Sequence, residues 1–272
     1  MTIRQSIKLL LYGKTPWISG AFPYFGTKVY FPKNSIIFAI ACSEGIFERD
    51  NVILLQKLVK PNTLMFDVGA NIGLMAVPIL QSCPTCKVVS VEPSPNVLPF
   101  LQRTIRESTH TSRWTLVAKA AGHKEYQTTF TLSPQYDSLF DGFRHTNRTR
   151  HAASIDVSVT TLDAIWKSLG KPEVSVIKCD IEGADTEAIH GATECIKVSK
   201  PMVLIEWNST NLEAYNTPTA ALIELTQSIG YHLFAVPSYA EITDIKDLLF
   251  HMRRTETFVM TPTKDRLYTA LS

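Results

Sequence analysis

The sequence lacks the features that would place it in a special class. No apolar run is long enough to cross a bilayer: Leu9-Leu10-Leu11 and Ile36-Ile37-Phe38-Ala39-Ile40-Ala41-Cys42 fall far below the roughly 20 residues a spanning helix needs. The first follows Arg4 and Lys8 but is too short for a targeting segment, and the second reads as a strand. Integral membrane association is not expected. Charge of one sign is also missing. A formal net charge of +2 is too small to make nucleic acid or an anionic membrane the main partner, and a neutral or modestly anionic small molecule fits as well. Cysteine is scarce. Cys42, Cys83, Cys86, Cys179 and Cys195 are odd in number and scattered with no signal peptide before them, so a reduced, cytoplasmic protein is expected. Cys83-Pro84-Thr85-Cys86 has redox or zinc spacing but no second pair, and zinc normally takes four ligands, so it reads as incidental thiols. There is no internal repeat and no low-complexity stretch. A chain of 272 residues with 45% hydrophobic content can bury a full α/β core. Residues 1–62 read as a lead-in that covers one edge of it, and 63–272 as the main unit.

Alternation of strands and helices is the dominant pattern. Aromatics and turn residues mix between Trp17 and Pro32, which suggests short strands there. Asp50 can cap a helix carrying Val52, Leu55 and Val59 on one face, stopped by Lys60-Pro61. A buried strand, Thr63-Leu64-Met65-Phe66, then runs into Asp67-Val68-Gly69-Ala70-Asn71-Ile72-Gly73, and a helix opens at about Ile72. Glycine at such a joint lets a ligand approach the main chain with no side chain in the way. Lys87 to Val91 is the next strand, ending at Glu92; Pro93-Ser94-Pro95 starts a helix, and Trp114 to Ala118 forms a third strand. This order implies a parallel sheet with helices on both faces. Thr128 to Leu132 and Ile155 to Val159 alternate polar and apolar, which predicts a β-hairpin insertion. The polar loop between them carries Arg144, His145, Arg148, Arg150 and His151, and is either a solvated loop or a clamp for an anionic acceptor.

The pattern resumes with Thr160-Thr161-Leu162-Asp163, a capping box before a helix ending at Gly170. Val174 to Cys179 is a strand ending at Asp180-Ile181-Glu182-Gly183, followed by a helix from Asp185 to Ile196 that is loosened at Gly191. Pro201 to Ile205 is a strand ending at Glu206. A helix after Thr217-Pro218 and strands at Tyr231 to Val236 and Glu256 to Met260 complete the chain. Asp67, Glu92, Asp180 and Glu206 each follow a hydrophobic strand, which places them on the carboxyl edge where open α/β sheets bind ligands. Singly, each can as well cap the helix that follows it. Glu92 falls where a nucleotide-binding fold sets an acid on a ribose hydroxyl pair. The turn reads Gly-Ala-Asn-Ile-Gly rather than G-x-G-x-x-G, which disfavours an NAD(P)-binding oxidoreductase.

Asp67 to Gly73, Val91-Glu92-Pro93-Ser94, Thr161-Leu162-Asp163 and Ile177-Lys178-Cys179-Asp180-Ile181-Glu182-Gly183-Ala184 together resemble the FkbM family of S-adenosylmethionine-dependent methyltransferases, from about Glu44 to Asn208, with Cys179 as one departure. The resemblance implies a doubly wound, Rossmann-like α/β fold whose seven-stranded sheet has its last strand antiparallel. It implies S-adenosyl-L-methionine as cofactor and O-methylation of a hydroxyl on a sugar or natural-product-like small molecule. The implied cofactor residues are Asp67, Gly69, Ala70, Asn71, Gly73, Glu92, Pro93, Ser94 and Ala120 (or Ala121). Gly69, Asn71 and Gly73 take the methionine end, Asp67 its amino group, Glu92 the ribose and Ala120 the adenine. Asp180 and Glu182 would border the methyl group and acceptor. With Glu206, or a histidine from the polar loop, they are the candidate bases, Asp180 and Glu182 ranking first, and Arg144 and His145 are the candidate acceptor contacts. No metal is assigned, and the expected partner is a small-molecule or glycan acceptor. A catalytically silent module that binds S-adenosylmethionine is the other competitor, and the intact acids argue against it.

Overall fold

The computed structural model describes residues 20–134, 140–144 and 153–272, without residue 34, and residues 3, 6, 7 and 10. No helix among the described residues is long and apolar enough to cross a membrane.

The lead-in begins with an antiparallel hairpin, β1 (Ala21–Tyr24) and β2 (Thr27–Tyr30), as the turn-rich aromatic segment predicts. The next segment departs from the sequence reading. Ile36–Glu44 is a helix, α1, and not a strand: Ser35 caps it by accepting the Phe38 N–H, and Gly45 closes it at φ 84°. Ile37, Phe38, Ala41 and Cys42 form its buried face, and the Phe38 ring stacks on Phe31 with centroids 3.9 Å apart. So short an apolar run fits either a strand or a buried helix, and here the caps decide. In α2 (Arg49–Leu58) the cap position is Glu48, in the left-handed region at φ 44°; Asp50 sits one turn in, where its charge suits the helix N-terminus.

The central strand β3 (Leu64–Val68) is buried along its whole length, because parallel neighbours flank it on both sides. One is β4 (Lys87–Val91), with β5 (Trp114–Val117) beyond it, and the other is β9 (Val174–Cys179). Outside β9 lie β10 (Met202–Glu206), then β13 (Thr257–Thr261), antiparallel to both its neighbours, then β11 (His232–Ala235). The antiparallel last strand is as expected. Among the described residues the sheet has eight strands rather than seven, because β12 (Glu241–Ile242) adds an edge rung to β11. Met65 faces one hydrophobic cluster, which also takes in the lead-in, while Leu64, Phe66 and Val68 face the other. That alternation is how one strand supports helices on both sides.

The helices fall into two layers. On the lead-in side are α1, α2, α3 (Ala76–Ser82) and α4 (Leu98–Glu107). On the other are α5 (Leu162–Ser168), α6 (Asp185–His190), α7 (Thr193–Ser199), α8 (Ser209–Tyr215), α9 (Ala221–Ser228) and α10 (Ile245–His251). A last helix, α11 (Lys264–Leu271), returns to the lead-in side through Leu267. The capping-box expectation at Thr160 is revised. Thr161 caps α5 through the Ala164 N–H, and Asp163 turns outward to accept from Glu194 and Cys195 N–H at 2.9 and 2.8 Å, capping α7 instead. The expected helix from Asp185 to Ile196 is two helices, broken at Gly191, where a β-carbon would stand 2.1 Å from Gly122 O.

The insertion is present as β7 (Tyr126–Leu132) and β8 (Ala153–Thr160), paired antiparallel, with β6 (Ala120–Ala121) added parallel to β8. It forms a side sheet next to the carboxyl edge of the main one.

Candidate functional site

Register brings the site together. Val68 pairs with Val91 on one side and Cys179 on the other, and Cys179 with Ile205, so the strand ends leading to Gly69, Glu92, Asp180 and Glu206 form one line. A cavity of about 300 Å³ opens along it. The turn beyond β3 is built from backbone conformations that side chains rarely adopt: Gly69, Asn71 and Gly73 stand at φ 74°, 48° and 91°. The expected helix start at Ile72 is accordingly delayed to Ala76. At Gly69 glycine is obligatory, because a β-carbon would lie 1.9 Å from the carbonyl oxygen of Asp180.

Gly69, Ala70 and Asn71 line the cavity, as do Glu92, Pro93 and Ala120. Glu92 is buried and oriented by two main-chain donors, Asn71 N–H to Oε2 and Ser94 N–H to Oε1, both at 2.8 Å. Burial pushes its carboxyl up to about 7, against the pull of those two hydrogen bonds. Ser94 is not in the wall; its hydroxyl instead donates to Asp141. Gly73 is not in the wall either, and its bare α-carbon makes room for the Trp114 ring, 2.7 Å from where a β-carbon would be.

Asp67 lies inside β3 rather than after it. It is fully buried beneath the cavity, opposite Ser90 and Lys178 in the register. Burial pushes its carboxyl up and Lys178 pulls it back. Lys178 is the one basic residue of β9 and the only cationic side chain in the cavity wall among the described residues. Its Nζ lies 3.2 Å from Asp180 Oδ2 and 3.9 Å from Asp67 Oδ1, and donates to Gly69 O at 3.1 Å. Burial opposes its charge, but Asp180, Asp67 and Glu48 outweigh burial and hold its pKa above the ordinary lysine range.

Asp180, Glu182 and Glu206 stand together in the cavity wall, with one oxygen of each within 4.8 Å of the others. Glu206 accepts from Asn211 Nδ2 at 2.9 Å. Glu182 is buried in the left-handed region at φ 55°, and the loop is pinned by Asp185, which accepts from Ile181 and Gly183 N–H at 3.3 and 3.1 Å. Burial and then the Asp180 charge push Asp185 up to about 7. Three carboxylates this close can share a proton or a cation, and Lys178 already places a fixed positive charge against one of them.

Arg144 is exposed, with its guanidinium 5.5 Å from the Tyr215 ring centroid, and is not in the cavity wall. His145 lies outside the described residues, as do Arg148, Arg150 and His151. Three parts of the wall are absent from the sequence reading: Glu48 and Phe47 from the lead-in, Asp141, and the aromatic roof of Phe130, Phe140 and Phe143. Asp141 accepts from Ser133 N–H at 2.7 Å and Asn96 Nδ2 at 3.0 Å, tying the insertion to the loop beyond Glu92. No sequence pattern marks an acid in a loop that becomes a tie. Lys178 did leave a signal, as a lone lysine in a buried apolar strand.

A cavity at the carboxyl edge of an open α/β sheet, with a glycine turn and the Glu92 carboxylate in its wall, is where such folds bind their ligands. The chain belongs to the FkbM methyltransferase family: the methyltransferase FkbM domain matches it over residues 67–245. No curated protein matches it in sequence. Among solved structures, a methyltransferase FkbM from Methylobacillus flagellatus KT is similar at 17% identity and a TM-score of 0.48, covering 82% of this chain and 60% of that one. This chain therefore spans about 60% of that protein's length. An O-methyltransferase from Bacillus cereus in complex with SAH is similar at 8% identity and a TM-score of 0.44, covering 82% and 87%. A SAM-dependent O-methyltransferase from Thermotoga maritima is similar at 11% identity and a TM-score of 0.44, covering 79% and 64%.

Proposed function

We propose that this methyltransferase acts on a hydroxyl of a small-molecule or glycan acceptor, with S-adenosyl-L-methionine as donor, in a reducing, cytoplasmic setting. The observation that carries the reading is that the Gly69 turn and Glu92 share one cavity with Asp180, Glu182 and Glu206. The donor's sulfonium supplies an electrophilic methyl group. The turn's open backbone accommodates the methionine end, and the Glu92 carboxylate accepts from two ribose hydroxyls. Asp180, Glu182 and Glu206 hold the acceptor's hydroxyls and orient the attacking one toward the methyl group. The aromatic roof excludes water, which would compete for the methyl group.

Mass spectrometry of sugars and glycosides incubated with the chain and donor is expected to show a gain of one methyl. Asp180→Ala is expected to lower kcat about 100-fold while S-adenosylhomocysteine binds within about twofold of the native chain. Full activity in that variant sinks the assignment of Asp180, and tight cofactor binding with no methylated product from the native chain is the silent-module result. EDTA is expected to leave the rate unchanged, because Lys178 supplies the cation on this wall.

Glu92 gives a pH signature. Its folded pKa is raised to about 7, so the ionised form needed by the ribose is lost as pH falls through that value. Affinity for S-adenosylhomocysteine, followed by calorimetry, should fall below about pH 7 on this account. Glu92→Gln should weaken binding by about 10- to 100-fold, the scale of a charge-assisted hydrogen bond, and flatten the pH dependence. An unchanged affinity in the variant removes Glu92 from the ribose role.

A further inference from the structure

Two more carboxylates, Glu44 and Glu48, line the cavity from outside the segment that carries the family match, and Glu48 is the one with an orienting hydrogen bond. Glu48 precedes α2 in the lead-in and lines both the main cavity and a smaller recess shared with Asp180, Glu206 and Thr257. Its left-handed backbone, φ 44°, costs a residue with a β-carbon about 1 kcal/mol, and such strain collects at functional sites. The side chain is anchored. Asn51 Nδ2 donates to Glu48 Oε2 at 2.8 Å and also reaches Thr257 Oγ1 of β13 at 3.2 Å, so the sheet orients the amide and the amide orients the carboxylate. An acid in a cavity with an orienting group behind it is the arrangement of a general base. Asp180 is engaged with Lys178 at 3.2 Å, Glu206 with Asn211 at 2.9 Å and Glu92 with two main-chain donors, while Glu182 shares a close three-acid group with Asp180 and Glu206.

We propose that Glu48 is the general base that takes the proton of the acceptor hydroxyl, with Asn51 as its positioning residue. The assignment rests on the hydroxyl-acceptor reading above. The acceptor oxygen bonds to the methyl carbon as the carbon–sulfur bond breaks. The hydroxyl proton passes to the Glu48 carboxylate, and the carbon–sulfur electron pair stays on sulfur as a neutral thioether. The charged groups acting on Glu48 are Asp180 and Lys178 at the end of β9 and Glu44 on α1, with the Asn51 amide on its own helix. Burial and then Asp180 push its carboxyl up to about 7, against Lys178 and Asn51, which matches a base working near neutral pH.

The test compares the native chain with Glu48→Gln, using S-adenosylmethionine as donor and a panel of methyl glycosides as acceptors. The variant is expected to lose about 100-fold in kcat with KM and S-adenosylhomocysteine affinity each within about threefold, and to lose the acidic limb near pH 7 of the kcat/KM profile for the acceptor, read at saturating donor so that Glu92 does not contribute. Glu48→Asp should recover part of the loss. Asn51→Ala, which keeps the carboxylate but frees it, should lose about 10-fold in kcat and retain the limb. A second readout needs no acceptor. In carboxyl-¹³C glutamate spectra of the cofactor-free protein, the resonance that disappears in Glu48→Gln should titrate near neutrality. A variant kcat within threefold of the native chain, or a Glu48 resonance titrating in the ordinary range near about 4.3, overturns the assignment. Should the glutamine variant fail to bind S-adenosylhomocysteine, Asn51→Ala and the native titration decide in its place. A native chain that binds S-adenosylhomocysteine yet methylates no glycoside overturns the hydroxyl reading itself and this assignment with it, a result distinct from loss or retention in the variant.

Discussion

Gly69→Ala is expected to lower the unfolding midpoint by about 8 °C and to abolish S-adenosylhomocysteine binding in the same variant. Two costs add. The alanine must hold φ 74°, worth about 1 kcal/mol, and its methyl must displace backbone, because the nearest atoms are Asp180 O at 1.9 Å and Asp180 C at 2.9 Å. Overpacking of that kind costs about 2 kcal/mol, and about 3 kcal/mol in total moves the midpoint of a chain this size by roughly 8 °C. The displaced segment is the one carrying Asp180 and Glu182, so the Gly69 turn and the three-acid group are disturbed together. Gly170→Ala provides the comparison: its φ is 80° but nothing lies within 4 Å, leaving only the backbone cost of about 1 kcal/mol. Differential scanning calorimetry of the two variants separates the contributions. Equal midpoints would show that the contact with Asp180 yields without cost.

Lys178→Met should be the most destabilising charge change in the chain, at about 3 to 5 kcal/mol near pH 7.5, the range for breaking a buried pair from one side. The methionine fills the space, but Asp67 is fully buried and would lose the cation 3.9 Å away, and Asp180 the one at 3.2 Å. The signs give the pH dependence. Lys178 has a folded pKa above its unfolded one, so its stabilisation is complete below about pH 10.4 and is lost only as pH rises through the folded value. Asp67 is raised as well, so the penalty for burying its charge holds above its folded pKa and is relieved as pH falls. The gap between variant and native chain should therefore be widest at neutral and alkaline pH and narrow toward pH 5, as read from urea unfolding. A variant as stable as the native chain at pH 7.5 would mean that Asp67 is not ionised in the folded protein.

The sequence showed the line of the sheet edge because buried strands ending in acids are a local signal. Glu92, Asp180 and Glu206 could be placed from the strand that each one ends. Asp67 could not, since the strand continues one residue past it, and a one-residue error moves a side chain from the rim to the interior. The insertion was legible from its period of two. α1 was not, because its caps, Ser35 and Gly45, are common residues with meaning only once a helix is assumed. β12 has two residues and no pattern of its own. Glu48 and Asp141 reach the cavity by tertiary packing alone, from segments whose local sequence says nothing about a sheet formed elsewhere in the chain.

Asp141 has a kinetic meaning. Its carboxylate gathers the Ser94 hydroxyl, the Asn96 amide and the Ser133 N–H, so the side sheet and the loop that orients Glu92 are fastened at one point. Segments joined this way open as a unit, with a free energy set by the hydrogen bonds that must break together. The roof over the cavity therefore cannot lift without loosening the loop that orients Glu92. Opening of the roof and release of that loop become one event, held by a single carboxylate of the cavity wall.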